Sequence, residues 1–473
     1  MRRSSGVTLG ALALTLASCK LSITSDGPGD GSCVDDPSKG LVATSGRSLV
    51  CTTCGTDLWQ GAHLGPLAIA ADGNVLVAGA YGGEANFGAE HLTTSLDNPY
   101  GSVAFLAKLG RTGETLWFAS YPQTENSWIR GLVALADGGA VAIGSTAGGT
   151  LAELRRYSAS GALTSTLPVS DDNEPVALAV APDGDLVVTS VWVQSANGIA
   201  EAWGPSIEKM GLDGTVRFSR RFTSTGSGAN AFASVTVDAE GRIFVAGSVG
   251  GSSTDGLDVT APAEATTAVV AGFDAQGNTA FVRSWPTDDS FPLTVVLTAE
   301  GHPLVGGTLT EPVSLGGDVL VPANHGFTSS SATGGCDGCP PPSHDASPFL
   351  LELGADGSYL HSRVLEVPGA AGITTMAVSP CSILAAGDAD GGQYLAVLAP
   401  DTGFVRALPF RAYADPNLST ATRSVPMSLG ARGDGSYAVA GTFRGVFSFG
   451  SLSLQAPDYP DSGFVVDGAK LTE

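Results

Sequence analysis

Residue types that do chemistry are present in this chain, but few stand at the spacing chemistry needs. Ser343-His344-Asp345 contains the three types of a hydrolytic triad. Adjacent residues cannot take the roles of nucleophile, base and orienting acid, which must converge from separate elements. The six histidines, His63, His91, His302, His325, His344 and His361, are scattered. Two Cys-x-x-Cys pairs, Cys51 with Cys54 and Cys336 with Cys339, have the inner spacing of a zinc site, but they are far apart and neither has a His at ligand spacing. Asp388-Ala389-Asp390-Gly391-Gly392 opens like a calcium loop, yet position 399, where a bidentate Glu belongs, is Ala. That stretch reads as a surface turn between strands. There is no Gly-x-Ser-x-Gly nucleophile turn, no Gly-Lys-Ser/Thr phosphate loop and no His-Glu-x-x-His. The expectation is a protein with no catalytic residue, no metal and no cofactor.

The elements that would have to position any site form a repeat. Asp72-Gly73 leads to Val77-Ala78-Gly79, and Asp137-Gly138 to Ala142-Ile143-Gly144. The same signal starts at Asp183, Glu240, Glu300, Pro380 and Asp434. From first turn residue to closing small residue the distance is seven in all seven copies. Asp-Gly suits a turn needing positive φ, and alternating Val, Ala and Ile suit pleated strands. A closing Gly allows close backbone approach. A second hairpin follows, with turns at Thr112-Gly113, Ser160-Gly161, Asp213-Gly214, Gln276-Gly277, Asp356-Gly357 and Thr402-Gly403. Four residues after the Gly stand Trp117, Phe218 and Phe281 in the first, third and fourth copies, against Ser165, His361 and Ala407 in the others. Each unit is four antiparallel strands, and the units recur at roughly 45 to 80 residues. The fold expected is all-β, a seven-bladed β-propeller.

The seventh unit ends at its third strand, around Phe464 to Leu471. Its missing fourth strand is sought at the other end, where Cys54 to Trp59 parallels Thr112 to Trp117. Residues 51–62 are therefore expected to be the outer strand of the last blade, within a propeller spanning 51–473.

Composition agrees with a large β body. Of 473 residues 43% are hydrophobic and 15% charged, with 64 Gly and 27 Pro. That excludes an acidic disordered chain and a helical bundle. The formal net charge is −23, and without residues 1–18, which carry Arg2 and Arg3, it is −25. A surface of that sign is unsuited to nucleic acid and to anionic lipid.

The first residues read as an address. Arg2 and Arg3 precede the apolar stretch Val7 to Leu16, and Leu16-Ala17-Ser18-Cys19 follows. A short apolar run behind positive charge, ending in small residues, is an export signal. The ending resembles a bacterial lipobox. That resemblance implies cleavage after residue 18 and lipidation of Cys19, and several acyl chains hold a protein to a bilayer stably. Residue 20 is Lys and not Asp, which by likeness to enterobacterial lipoproteins implies the outer membrane. Residues 19–50, Gly-, Ser-, Asp- and Pro-rich, read as a flexible tether. Contact with the membrane is then through the lipid alone, and a monomer is expected.

With Cys19 lipidated, Cys33, Cys51, Cys54, Cys336, Cys339 and Cys381 remain. An even number in an exported chain reads as disulfides. Cys336 with Cys339 is the preferred local pair, and a bond from Cys33, Cys51 or Cys54 to Cys381 would lock the ring.

The repeat resembles the β-propeller repeats of bacterial, myxobacterial-type surface lipoproteins, which pair an Asp-Gly hairpin ending Val-Ala-Gly with a Phe-Val-Ala-Lys-Leu strand. Phe87-Gly88 with Leu92, and Phe449-Gly450 with Leu454, match a further hairpin of that family. The resemblance covers about 55 to 473 and implies a fold and an envelope address, with no common activity. Ala107 to Trp117 also looks like the tryptophan-docking repeat of quinoprotein dehydrogenases and an outer-membrane assembly lipoprotein, in one blade only.

The innermost strands, such as Leu67 to Ala70, Val295 to Leu297 and Met376 to Val378, offer the channel almost no polar group. The function expected is a non-enzymatic envelope lipoprotein whose propeller face binds a protein or polysaccharide. The loops 82–98, 194–204 and 322–348 would form that face, with Trp192 and Trp203 as exposed aromatic anchors. The competing reading is a propeller enzyme or a quinoprotein-like or assembly lipoprotein, which would gather acids, bases or metal ligands at one mouth.

Overall fold

The computed structural model describes residues 41–471 apart from 43–44, 52–61, 95–100, 123–126, 147–150, 170–172, 197–198, 227–229, 254, 263–264, 288–292, 323–345, 368–369, 381, 390–391, 400–403, 411–427, 444–445, 450–451 and 456–461. Every blade is an antiparallel sheet, and in blades 1 to 6 the strands run in chain order from the axis outward. Blade 1 is built from Ala62–Ile69, Val75–Tyr81, Val103–Leu109 and Thr115–Ser120. Blade 2 spans Trp128 to Pro168, blade 3 Asn173 to Arg221, blade 4 Ala231 to Thr287, blade 5 Thr294 to Val364, and blade 6 Thr375 to Phe410. Blade 7 takes Ser428–Ala431, Tyr437–Phe443 and Ser462–Leu471 from the C-terminal end and Ser45–Cys51 from the N-terminal end. The protein is a seven-bladed β-propeller. Among the described residues no helix is long and apolar enough to cross a membrane.

The repeated dipeptide closes the first hairpin of each blade as its chemistry requires. The Gly73 amide donates to the Ala70 carbonyl (2.8 Å), the Asn74 amide to Asp72 Oδ1 (3.0 Å), and Gly73 has φ +78°. Glycine reaches that left-handed conformation without a Cβ penalty. In blade 6, Ser379 stands in for the Asp–Gly device: its hydroxyl accepts from the Ser382 amide at 3.0 Å. The small residue that ends the second strand has a separate cause. A Cβ on Gly79, Gly144, Gly247 or Gly387 would collide with the innermost segment's carbonyl at His63, Trp128, Ala231 or Gly372. In three of these blades the innermost strand carries an irregularity in register here, so its backbone leans on the neighbouring chain.

The second strands are buried along both faces; all of Ala140–Thr146 and Tyr437–Phe443 is buried. Both faces pack because each sheet is sandwiched between two blades, which is why these strands read as continuous apolar runs. Outer strands such as Leu163–Pro168 alternate between exposed and half-buried. Apolar clusters fill the space between successive blades, from blades 2 and 3 (Ile143, Val188) to blades 6 and 7 (Leu384, Val439). One cluster joins Val465 and Leu49 of blade 7 to Leu64 and Phe105 of blade 1, so the core runs round the whole ring.

A side chain of each outer strand in blades 1 to 4 reaches the next blade's outer turn. Trp117 lies against Gly161, Leu167 against Gly214, Phe218 against Gly277 and Phe281 against Gly357. The Trp117 indole N–H also donates to the Ala159 carbonyl at 3.0 Å. The aromatic position seen in the sequence is thus a latch between blades, and blade 2 supplies its apolar side chain two residues later.

Closure by the N-terminal segment uses a different stretch from the one expected. Ser45–Cys51, and not 51–62, lies beside Ser462–Leu471, with Ser45 opposite Asp467 and Leu49 opposite Gly463. Leu41 and Val42 extend the pairing to Leu471 and Lys470, so the span read as a tether to residue 50 ends in strand. Residues 52–61 lie outside the described part. The physical reason is reach. A fourth strand sits about 14 Å from the innermost one, at ~4.8 Å per strand, whereas one residue spans at most ~3.6 Å. A strand ending at Gln60 could not return to Ala62 at the axis; one ending at Cys51 can. Blade 1 adds a second hold: its hairpin Glu84–Phe87 and Glu90–Thr93 pairs with the other edge of Ser45–Cys51.

Candidate binding face

Strand direction divides the ring into two unlike faces. Connections from first to second and from third to fourth strands are tight turns, and all emerge at one end of the blades. Connections from second to third strands, and between blades, emerge at the other end. They include the hairpins Glu84–Thr93, Val313–Leu320 and Val446–Gln455 and most of the long insertions.

The tight-turn face is occupied by its own electrostatics. Lys108 Nζ meets Asp72 at 2.7 Å, Arg156 meets Asp137 at 2.8 Å and Lys209 meets Asp183 at 2.5 Å, each from the third strand to the first turn. The Gly139 amide and then the Arg156 guanidinium hold the Asp137 carboxyl below the usual range. For Asp72 and Asp183 burial pushes upward and is outweighed by the lysine ammonium and the turn amides. In blade 5, His302 and His361, read as unrelated positions in the sequence, converge on Glu352: Nδ1 of His302 lies 2.9 Å and Nδ1 of His361 3.4 Å from its oxygens. Cross-strand placement explains this, since Glu352 sits directly opposite His361.

At the long-connection end of the axis the innermost strands of blades 2 and 3 bring Arg130 and Glu174 together at 2.7 Å, with 47% and 58% of the side chains exposed. Arg130 lies 5.9 Å from the Trp128 ring centroid. Among the described residues Trp128 Nε1 and Asn173 Oδ1 find no hydrogen-bond partner. The sequence reading of the innermost strands as nearly apolar missed this pair. It considered the ends of the strands next to the first turn, and the charges stand near the beginning, at the opposite end. Deeper in, the innermost strands are stitched by hydroxyls: Ser428 accepts from the Leu67 amide (3.0 Å) and Ser234 from the Val295 amide (3.1 Å).

Between blades 3 and 4 the face is a braced platform. Backbone bridges link Trp203 to Ser224, Ser224 to Ser253 and Ser253 to Val259. Buried Asn230 accepts from the Gly250 amide at 2.6 Å and donates to the Gly226 carbonyl at 3.3 Å. The two tryptophans expected as exposed anchors belong to this bracing. Trp192 is only 5% exposed, and its indole N–H donates to the Phe222 carbonyl at 3.2 Å. The Trp203 indole N–H donates to the Gly226 carbonyl at 2.8 Å. Trp192 lies on a strand that runs on to Ala196 and Trp203 on its partner strand Ile199–Met210, so both stand within the paired part of the blade, where each indole takes a backbone acceptor within reach. Beside the platform, Gly256, Leu257, Asp258, Thr279, Val282 and Ser284 line an open groove.

Of the cysteines, Cys51 ends the strand that closes blade 7, opposite Ala85. Cys19, Cys33, Cys54, Cys336, Cys339 and Cys381 lie outside the described residues, as does the Ser343-His344-Asp345 stretch. Asp388 and Ala389 end a strand that turns back at Gly392, a hairpin as expected. Among the described residues no three His, Cys, Asp or Glu are grouped to hold a metal ion. Among the described residues, the mouth offers the Arg130–Glu174 pair, with the Arg130 guanidinium beside the Trp128 indole.

No family model matches the chain. A search of curated proteins found no match either. Solved structures of similar shape include a catalytically inactive virginiamycin B lyase from Staphylococcus aureus with quinupristin, at 10% identity over 89% of this chain and 99% of that one, with a TM-score of 0.45. A streptogramin B lyase is 11% identical over 89% and 97%, with a TM-score of 0.43. A Dyadobacter fermentans protein of unknown function is 11% identical over 90% and 99%, with a TM-score of 0.41. These likenesses extend over about nine tenths of the chain, at an identity that carries no residue role across.

Proposed function

We propose that this chain is a non-enzymatic lipoprotein of the bacterial cell envelope, of the myxobacterial-type repeat class, whose long-connection face binds a protein or polysaccharide. The observation that carries the reading is the division between the faces. One is made of short turns locked by their own carboxylates; the other bears the hairpins and long connections and, at the axis, the Arg130–Glu174 pair. Variable loops on a rigid frame are where binding residues concentrate. In this reading residues 1–18 direct export, Cys19 is lipidated and holds the chain to the outer membrane, and the remaining cysteines form disulfides.

Two measurements test it. Palmitate labelling should mark the wild type and leave Cys19→Ala unlabelled and released from membranes; equal labelling overturns the anchor. Purified chain should bind isolated envelope polysaccharide or peptidoglycan, and replacing 323–345 by a short Gly-Ser link or changing Arg130 and Glu174 to Ala should weaken that binding. Turn-face changes such as Gln276→Ala should not. Binding unaffected by the long-connection face, or turnover of the polymer, overturns the reading.

A further inference from the structure

We infer that the groove at the rim between blades 3 and 4 is a subsite for a neutral pyranose, one sugar unit of a polysaccharide. The inference rests on the polysaccharide reading proposed above for its setting, and on the groove's own geometry for the ligand. Three elements build the groove. On the outer strand of blade 4, Thr279, Val282 and Ser284 stand opposite Phe273, Ala271 and Val269, which belong to the core between blades 3 and 4. Opposite residues share a face of the sheet, so these three side chains turn toward blade 3. Gly256, Leu257 and Asp258, from the connection between the second and third strands, form the facing wall. Arg220, from the outer strand of blade 3, closes one end. Its Nη1 donates to the Gly277 carbonyl at 3.1 Å and its Nη2 to the Asp255 carbonyl at 3.4 Å.

Blade 5 shows what fills the same place when it is closed. Gly316 stands three residues before Val319 as Gly256 stands three before Val259, and both glycines have positive φ, +119° and +103°. Tyr359 stands opposite Leu353 as Thr279 stands opposite Phe273. The Tyr359 side chain lies along the two glycines of its blade: a Cβ on Gly316 would fall 2.9 Å from Tyr359 Cβ, and one on Gly317 would strike its hydroxyl. In blade 4 a Cβ on Gly256 would have only Arg220 Nη2, at 3.2 Å, and Thr279 Oγ1, at 3.3 Å, as neighbours. Leu257 holds the place of Gly317 and turns into the core, 1% exposed. Where blade 5 seats a six-membered ring of its own, blade 4 leaves an open groove of about 470 Å³, within the ~300–1,000 Å³ of small-ligand sites.

The lining selects the kind of ring. Val282 and Leu257 offer an apolar strip to C–H groups. Around it the Asp258 carboxylate accepts, the Arg220 guanidinium donates, and the Ser284 and Thr279 hydroxyls do either. Thr279 Oγ1 is buried without a hydrogen-bond partner, a cost that a ligand hydroxyl relieves once χ1 turns it into the groove. A phenyl ring would leave these groups unpaired, whereas a pyranose carries hydroxyls round its edge. One carboxylate against one guanidinium favours a neutral sugar. A uronic acid would meet Asp258 in a chain of net charge −23.

The test titrates the full chain with methyl glucoside, methyl galactoside and methyl mannoside, read by saturation-transfer NMR and calorimetry. At least one should bind saturably. Asp258→Asn keeps a residue type that tolerates φ +49° and should weaken that binding about tenfold or more. Thr279→Tyr puts the blade 5 side chain in place and should abolish it. Circular dichroism and melting check both folds; if Thr279→Tyr does not fold, Asp258→Asn decides. Methyl glucuronide should bind about fivefold or more weakly than methyl glucoside. No saturable binding of any neutral glycoside, binding unmoved by Asp258→Asn, or glucuronide bound as tightly overturns the inference. Polysaccharide or envelope-protein binding that Arg130→Ala weakens and Asp258→Asn does not overturns the groove and leaves the proposed function standing. Glycoside binding lost in Thr279→Tyr, together with turnover of the polymer, leaves the groove standing and overturns the non-enzymatic reading.

Discussion

Leu49 stands opposite Phe87 on one side and Gly463 on the other, and both Leu49 and Phe87 are fully buried. One residue from the N-terminal segment thus joins the C-terminal strand to a hairpin of blade 1. The Phe87 ring lies 5.6 Å from that of Phe105, so the joint opens directly into the core of blade 1. Ring closure here is a three-part joint, with neither edge of Ser45–Cys51 left free at Leu49.

Leu49→Ala should cost ~2–5 kcal/mol, the range for a buried Leu whose cavity cannot collapse. A chain starting at Asp35 should melt with the full-length protein, and one starting at Ala62 should melt far lower. Thermal melts of the three decide this; equal melting of the last two would deny the strand its role.

The Trp117–Gly161 latch predicts non-additivity. Gly161 has φ +84°, and a Cβ there would fall 2.6 Å from the Trp117 ring. Gly161→Ala should cost ~1–3 kcal/mol from strain and clash. In the Trp117→Ala background the clash is gone, so the same change should cost less. Urea titration of the two singles and the double measures the coupling.

Arg432 and Asp467 form an ion pair with 3% of each side chain exposed, and Arg432 Nε donates to the Gly73 carbonyl at 2.6 Å. The pair ties the third strand of blade 7 to the first turn of blade 1. Asp467→Ala should cost ~3–5 kcal/mol, because it strands a buried guanidinium. Replacing both by Leu should cost less than that single change, measured by denaturant midpoint.

Acid should weaken the turns. The Ser436 hydroxyl first, and the Arg111 guanidinium across the joint between blades 7 and 1, hold the Asp434 carboxyl well below its usual range. A carboxyl whose folded pKa is depressed stabilises the fold above its unfolded value and loses that contribution as pH falls through the folded one. Asp434 is 45% exposed, so its share is under about 1 kcal/mol. Melting temperature should fall below about pH 4, and Asp434→Asn should make that fall shallower. An unchanged slope would show the pair to be idle.

The repeat, the seven-fold count and the turn chemistry were legible in the sequence. They depend on local requirements: a left-handed Gly beside an Asp whose side chain caps the turn, and a small residue seven positions on where the innermost carbonyl leans in. Such requirements act within one hairpin and leave a fixed spacing. What brings residues from separate strands or separate blades together was not legible. Arg130 and Glu174, or His302, His361 and Glu352, are brought together by strand pairing and ring geometry, and nothing in their spacing records it. Trp192 looked like a loop-flanking anchor because the length of a paired strand is a tertiary property. The closing strand lay between the two cases. The need for it was readable from the seventh unit, but its position at Ser45–Cys51 followed from the distance the chain must travel from the rim of blade 7 to the axis at Ala62, a length that only the assembled ring defines.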